Sequence, residues 1–160
     1  KRLKEKGYQF NALIVGDDGE GLNKGYFNKV KSYTETHLAD YNIVFTGYVS
    51  EPEKYYQICD IVAHASIEPE PFGLVITEAM QHGAAVIASK HGAGPEIIED
   101  NVTGLICDPL TPADIAEKIK HLLDNPHTRE SLALKGKEKV ISTMAPKHFA
   151  NEVSIIYLTK

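Results

Sequence analysis

Cysteine is scarce in this chain: Cys59 and Cys107 are the only two among 160 residues, and they have no metal-ligand spacing. A disulfide framework is thereby excluded. Long apolar runs are missing as well, and no segment reads as a membrane span. Together with the lack of a signal peptide, these features point to a reducing cytoplasm. Any peripheral attachment to the inner membrane would have to come from a domain outside this segment. Positive charge is in deficit, with 17 Lys and Arg against 22 Asp and Glu and a net charge of −5. A general nucleic-acid binder needs a basic face, so that class falls away; one bound nucleotide needs only a local anion site. Also absent are a P-loop ending, a Gly-x-Ser-x-Gly elbow, a Cys–His arrangement for covalent catalysis and a spaced Asp-x-Asp metal clamp.

What remains is 42% hydrophobic and 24% charged, the composition of a soluble globular protein. The length suits a single domain over 1–160 with a core that needs no staples. Short apolar runs at 12–15, 43–45, 61–65, 84–88 and 104–106 read as strands covered on both faces. Helical patterns alternate with them. Residues 26–38 form one, and Ser50-Glu51-Pro52-Glu53 is a capping box for the next. Thr111-Pro112-Ala113-Asp114 opens the clearest helix, with Ile115, Ile119, Leu122 and Leu123 as its apolar stripe. Asn125-Pro126 ends it, and further helices are predicted over 128–142 and 146–158, the last closing the domain. At the other end, Leu3 and its charged neighbours read as the last turns of a helix stopped by Gly7. No N-cap precedes that helix, so a start truncated at its N-terminus is expected, with a disordered tail as the alternative. Alternating strand and helix means an α/β fold with an open, doubly wound parallel sheet. Such sheets bind ligands beyond the carboxyl ends of their strands.

One stretch at that edge carries the most chemistry. Residues 70–80 read Glu-Pro-Phe-Gly-Leu-Val-Ile-Thr-Glu-Ala-Met, with seven residues between Glu70 and Glu78. A strand lies before it, the helix formers Glu78 to His82 stop at Gly83, and the helix is expected to begin near Leu74 or Val75. Gly73 would let a ligand approach the main chain, and free N–H groups at a helix start can hold an anion. Carboxylates beside an anion site suit hydroxyl groups, and phosphate flanked by polyol is the outline of a nucleotide sugar. Taken singly, Glu78 could be only a carboxylate favoured by the helix dipole and Glu70 only a solvated loop residue.

Other motifs are less specific. The run from Gly16 through Asp17, Asp18, Gly19 and Glu20 to Gly21 follows the first strand, but its acidic residues would repel phosphate. A turn that admits a flat base or ribose fits it better. His91-Gly92-Ala93-Gly94-Pro95-Glu96 follows another strand; its glycines could admit a ligand and Glu96 could accept hydroxyls, or it is simply a turn. His64, His82 and His91 lie near the same edge without metal-ligand spacing.

Residues 70–80 resemble the Glu-x7-Glu block of retaining glycosyltransferases with the GT-B fold, in particular glycosyltransferase family 4. Blocks at 13–16, 45–49, 60–62, 83–89, 92–96 and 101–105 resemble that family in the same order. The resemblance implies the C-terminal, Rossmann-like half of a GT-B fold without the family's first strand. It implies a nucleotide-diphosphate sugar donor bound at a cleft that faces a separate N-terminal acceptor domain. Glu78 would hold the ribose hydroxyls and Glu70, the catalytic-side residue, the transferred sugar. Main-chain N–H groups around Phe72, Gly73, Leu74 and Val75 would meet the diphosphate or sugar. Tyr48 and Val49 would read the base, with Gly16 lining that side. No cofactor and no metal are implied. Two departures stand out: the family's first strand with its Arg and Lys would precede Lys1, and its Gly-Gly block is Gly92-Ala93-Gly94 here. The competing readings are a non-catalytic nucleotide-sugar module and a nucleotide-sugar epimerase of the same fold.

Overall fold

A computed structural model describes residues 1–17 and 25–143 of the chain. The glycine-rich positions Gly19 and Gly21 and the helix predicted over 146–158 lie outside the described residues. The chain divides into two compact units, the first over Lys1–Tyr55 and the second from Tyr56 onward.

The first unit holds α1 (Arg2–Glu5), β1 (Asn11–Val15), α2 (Tyr26–His37) and β2 (Asn42–Gly47). The two strands pair in parallel from Asn11 opposite Asn42 to Val15 opposite Gly47, with a register shift between Ile14 and Val15. Phe27 of α2 packs edge-on against Phe45 of β2, ring centroids 5.6 Å apart. Leu3 is buried, so the opening residues are a short helix with one anchoring side chain. Here the expectation of strands covered on both faces fails: Val15 and Val44 are exposed. Among the described residues each of these strands has one hydrogen-bonded neighbour, and side chains on a sheet face stay exposed where no layer packs over them. The capping box at 50–53 yields only the single turn α3 (Glu53–Tyr56), with the Tyr55 N–H donating to the Pro52 carbonyl at 2.9 Å.

The second unit is the denser one. It contains β3 (Ile61–His64), α4 (Leu74–Gln81), β4 (Ala85–Ser89), α5 (Gly94–Ile97), β5 (Leu105–Cys107), α6 (Pro112–Asp124) and α7 (Pro126–Thr143). Its strands form a parallel sheet in the order β3-β4-β5, with Ile61 opposite Ala85 and Ile87 opposite Leu105. β4 is central and every one of its residues is buried. Its alternate side chains divide between two cores, as the two-residue period of a strand requires. Val86 and Ala88 join Ile76, Ala79 and Met80 of α4, Ile97 of α5 and Val140 of α7 on one face. Ala85 and Ile87 join Leu105, Cys107, Leu122 of α6 and Leu132 of α7 on the other. Each fully buried Ile or Leu contributes roughly 1.5–3 kcal/mol, so this sandwich dominates the unit's stability. Gly136 lets α7 close on the core, because a Cβ there would stand 2.7 Å from the Thr103 carbonyl and 3.2 Å from Met80 Cε. The α6 stripe behaves as its spacing predicts, except that Leu123 stays outside the core cluster.

The turn after β5 is held by Asp108, which pairs with Lys90 at 2.9 Å and accepts from Leu110 N–H at 3.0 Å. The Lys90 hydrogen bond, then the Leu110 amide, hold the Asp108 carboxyl below the usual carboxylate range. A depressed carboxylate stabilises the fold above its ordinary pKa and loses that contribution as pH falls through the lowered value.

Candidate functional site

In the second unit the loops after β3 and β4 meet at the carboxyl ends of the strands, and α4 starts there. α4 begins at Leu74, as predicted, because Gly73 supplies the left-handed N-cap conformation (φ 68°) that other residues avoid. Two expectations about this start need correction. Gly73 is not an open approach for a ligand: it is buried, and a Cβ on it would stand 2.3 Å from Ile97 Cδ1 and 3.3 Å from Ala93 Cβ. Its smallness serves the seating of α4 against α5. Nor are the amides of Phe72 and Gly73 free, since both donate to Glu70 Oε1 at 3.2 Å. Glu70 therefore caps its own loop instead of standing as a solvated carboxylate.

The amides of Leu74 and Val75 keep the predicted character. As the first helical residues they have no acceptor within the helix, and none among the described residues. Phe72, Leu74 and Val75 side chains are all exposed around them. Glu78 is the fifth residue of α4, one turn in, so dipole attraction in a first turn does not account for it. It stands above Leu74 and Val75 on the helix surface. The residue is half-buried and its carboxylate has no hydrogen-bond or ion-pair partner among the described residues. Unpaired, half-buried carboxylates need donors, and hydroxyls are suitable ones.

By sequence alone the segment after β4 is either a simple turn or a place where glycines admit a ligand. They admit protein instead. A Cβ on Gly94 would stand 2.2 Å from the Ser89 carbonyl, and one on Gly92 would meet the main chain of Glu70. Glu96 is exposed in the first turn of α5 and joins nothing at the site. The three histidines do not converge: His82 Nδ1 lies 2.8 Å from the Glu78 carbonyl, His91 Nδ1 lies 2.9 Å from the Ile67 carbonyl, and His64 Nδ1 has no partner among the described residues. Among the described residues no group of three His, Cys, Asp or Glu could hold a metal ion, and no helix is long and apolar enough to cross a membrane. Burial is the main influence raising both thiols, Cys59 and Cys107, above their ordinary range, so neither is activated as a nucleophile.

In the first unit Gly16 and Tyr48–Val49 come together at the carboxyl ends of β1 and β2. Gly16 (φ 106°) bridges Gly47, its N–H donating to the Gly47 carbonyl at 3.0 Å and to Thr46 Oγ1 at 3.2 Å. Thr46 was missed as a site-building residue, although it lies inside the block at 45–49. Tyr48 is 77% exposed. A separate cleft of about 330 Å³ opens at the opposite, amino ends of these strands beside Lys4, Asn11 and Tyr41. Its cation is already engaged, with Lys4 Nζ 4.0 Å from the Tyr41 ring centroid and donating to the Asp40 carbonyl at 2.8 Å.

Comparison with known proteins gives the family of the chain. The family described as Glycosyl transferases group 1 matches residues 1–139. The human alpha-1,3/1,6-mannosyltransferase is 33% identical over 164 aligned positions, covering 99% of this chain and 39% of its own length. An uncharacterized glycosyltransferase of Methanocaldococcus jannaschii is 32% identical over 119 residues, 73% of this chain and 30% of its own. Among solved structures, a Rickettsia africae glycosyltransferase superposes with a TM-score of 0.85 at 29% identity, covering 96% of this chain and 41% of that one. Anabaena HepE, solved in complex with UDP, gives 0.80 at 26% identity over 90% of this chain and 40% of that one. The chain thus spans well under half the length of these relatives. Its α/β architecture with parallel sheets is the Rossmann-like C-terminal half of a GT-B fold. On the family match over most of its length, the chain belongs to the glycosyl transferases group 1 family.

Proposed function

We propose that this chain is the donor-binding domain of a retaining glycosyltransferase of family 4, taking a nucleotide-diphosphate sugar. One observation carries the reading: the half-buried Glu78 carboxylate stands one turn above the amides of Leu74 and Val75, and none of the three has a partner among the described residues. In this reading Glu78 accepts from the ribose hydroxyls, while those amides meet the diphosphate or sugar. Glu70 uses Oε1 to fix the loop and keeps Oε2 for the transferred sugar. HepE structures with UDP and with UDP-glucose support a nucleotide-sugar donor for this family half.

Charge in the transition state builds on the departing diphosphate, where preorganised N–H groups stabilise it. The leaving phosphate helps remove the acceptor proton on the same face, so Glu70 positions the sugar and is not the nucleophile. The acceptor belongs to a separate N-terminal domain of the same protein, and no metal is required. The protein acts in the cytoplasm, with attachment at the inner membrane supplied by that other domain.

Calorimetry with UDP-glucose and GDP-mannose, with and without excess chelator, tests the proposal. At least one donor is expected to bind, with affinity unchanged by chelator. Binding lost in chelator and restored by magnesium or manganese would contradict it, as would no binding of any donor in a wider panel.

A further inference from the structure

We propose that Gly92 and Ala93 are positioning residues for Glu70 and, through it, for the donor sugar; the inference rests on the donor-site reading above. The turn after β4 meets the loop after β3 as a one-residue parallel bridge between Glu70 and Gly92. The Ala93 N–H donates to the Glu70 carbonyl at 2.8 Å. His91 adds a second point of attachment, its Nδ1 lying 2.9 Å from the Ile67 carbonyl. The His91 N–H in turn donates to Oγ of Ser89, a buried residue at the end of β4. The loop carrying Glu70 is thus referenced to the central strand of the sheet.

Gly92 makes the approach possible. Its φ is 72°, and a Cβ there would stand 2.4 Å from the carbonyl oxygen and 2.5 Å from the nitrogen of Glu70. Both are main-chain atoms, so no side-chain rotation relieves the conflict; Glu70 itself must move. Its carboxylate is held at the other end by the amides of Phe72 and Gly73. The residue is fixed at both ends, and its free oxygen has one position relative to the start of α4. Misplacement by about 1 Å of a group that orients substrate can cost roughly a hundredfold in rate. A glycine with no side chain to offer a ligand therefore sets how well the sugar is held.

The test separates this role from a merely structural one. In the full-length protein, affinities are measured for UDP and GDP and for UDP-glucose and GDP-mannose, using the pair the parent binds best. The readout is the extra affinity that the sugar adds. Gly92→Ala is expected to lose about tenfold of sugar-dependent affinity while nucleoside diphosphate binding stays within about twofold, and Glu70→Gln to do the same. The double variant is expected to lose no more than either single change, because both act on one group. Gly83→Ala is the control, with a similar φ of 84° and no neighbour closer than Lys137 Cδ at 3.9 Å; it is expected to lower the melting temperature and spare both affinities.

Equal losses of nucleotide and sugar binding in Gly92→Ala, or additive losses with Glu70→Gln, would overturn the inference. If Gly92→Ala does not fold, Ala93→Pro decides. Proline suits the Ala93 φ of −70° and removes the N–H that holds Glu70, so an unchanged sugar contribution there would overturn it equally. Should Glu70→Gln itself leave the sugar contribution intact, the donor-site reading fails and takes this inference with it. A defective Glu70→Gln beside a normal Gly92→Ala sinks the inference alone.

Discussion

Replacing Glu78 with glutamine is expected to weaken nucleoside diphosphate binding by about tenfold or more. The glutamine keeps the shape and removes the charge, so what is lost is charge-assisted hydrogen bonding, worth roughly 1.5–3 kcal/mol, against about 1.4 kcal/mol per tenfold in affinity. The native carboxylate has no partner among the described residues, so the substitution breaks no internal bond of the described fold. The melting temperature should hardly change. Glu70→Gln should behave in the opposite way. Its carboxylate accepts from two amides of its own loop, so the change is expected to lower stability modestly and harm sugar-dependent binding and turnover while sparing the nucleotide. Isothermal titrations of both variants with a nucleoside diphosphate and with its sugar would show the split. Parent-like nucleotide binding by Glu78→Gln would remove the ribose role from that residue.

The largest expected effect concerns turnover. This chain alone, with a nucleotide sugar and an acceptor in solution, is expected to show no multiple-turnover transfer. It spans only 30–39% of relatives such as the Methanocaldococcus and human enzymes, and the acceptor side is assigned to another domain. Holding two reactants in near-attack geometry corresponds to effective molarities of about 10⁵–10⁸ M, so forfeiting it outweighs any single side chain. Product release is measured with the chain alone and with the full-length protein. Sustained transfer by the chain alone would show that its own residues complete the active site.

Much of the second unit was legible from patterning. β4 is a continuous apolar run and emerges as the fully buried central strand; α6 announces itself by Thr111-Pro112 and a regular stripe. α4 was placed correctly because Glu78 to Gln81 are helix formers between Gly73 and Gly83, although Val75, Ile76 and Thr77 favour strands by propensity. Glycine function was the hard part. The same residue can serve a positive φ, a close approach of the protein to itself, or an approach of ligand, and only spatial neighbours distinguish them. Gly73 and Gly94 proved to be packing positions, and Gly92 faces the main chain of Glu70. The Glu70 cap escaped notice because it links residues two and three apart in a loop, where side-chain to backbone bonds leave no periodic mark. In the first unit, apolar runs identified β1 and β2 but could not reveal that Val15 and Val44 stay exposed, since exposure depends on what packs over each face of a sheet. α7 starts at Pro126, earlier than predicted, because proline that ends one helix is also well suited to open the next.

The central claim is that a nucleotide sugar is held at the start of α4. Amide chemical-shift mapping on isotope-labelled protein tests it most directly, using UDP-glucose or GDP-mannose, whichever binds more tightly. The account predicts saturable shifts largest at Leu74, Val75 and Ile76, which in Glu78→Gln need about tenfold more ligand to reach saturation. Shifts confined to the cleft at the amino ends of β1 and β2, around Tyr8, Asn11 and Asn42, with Leu74 and Val75 unmoved at saturation, would contradict it.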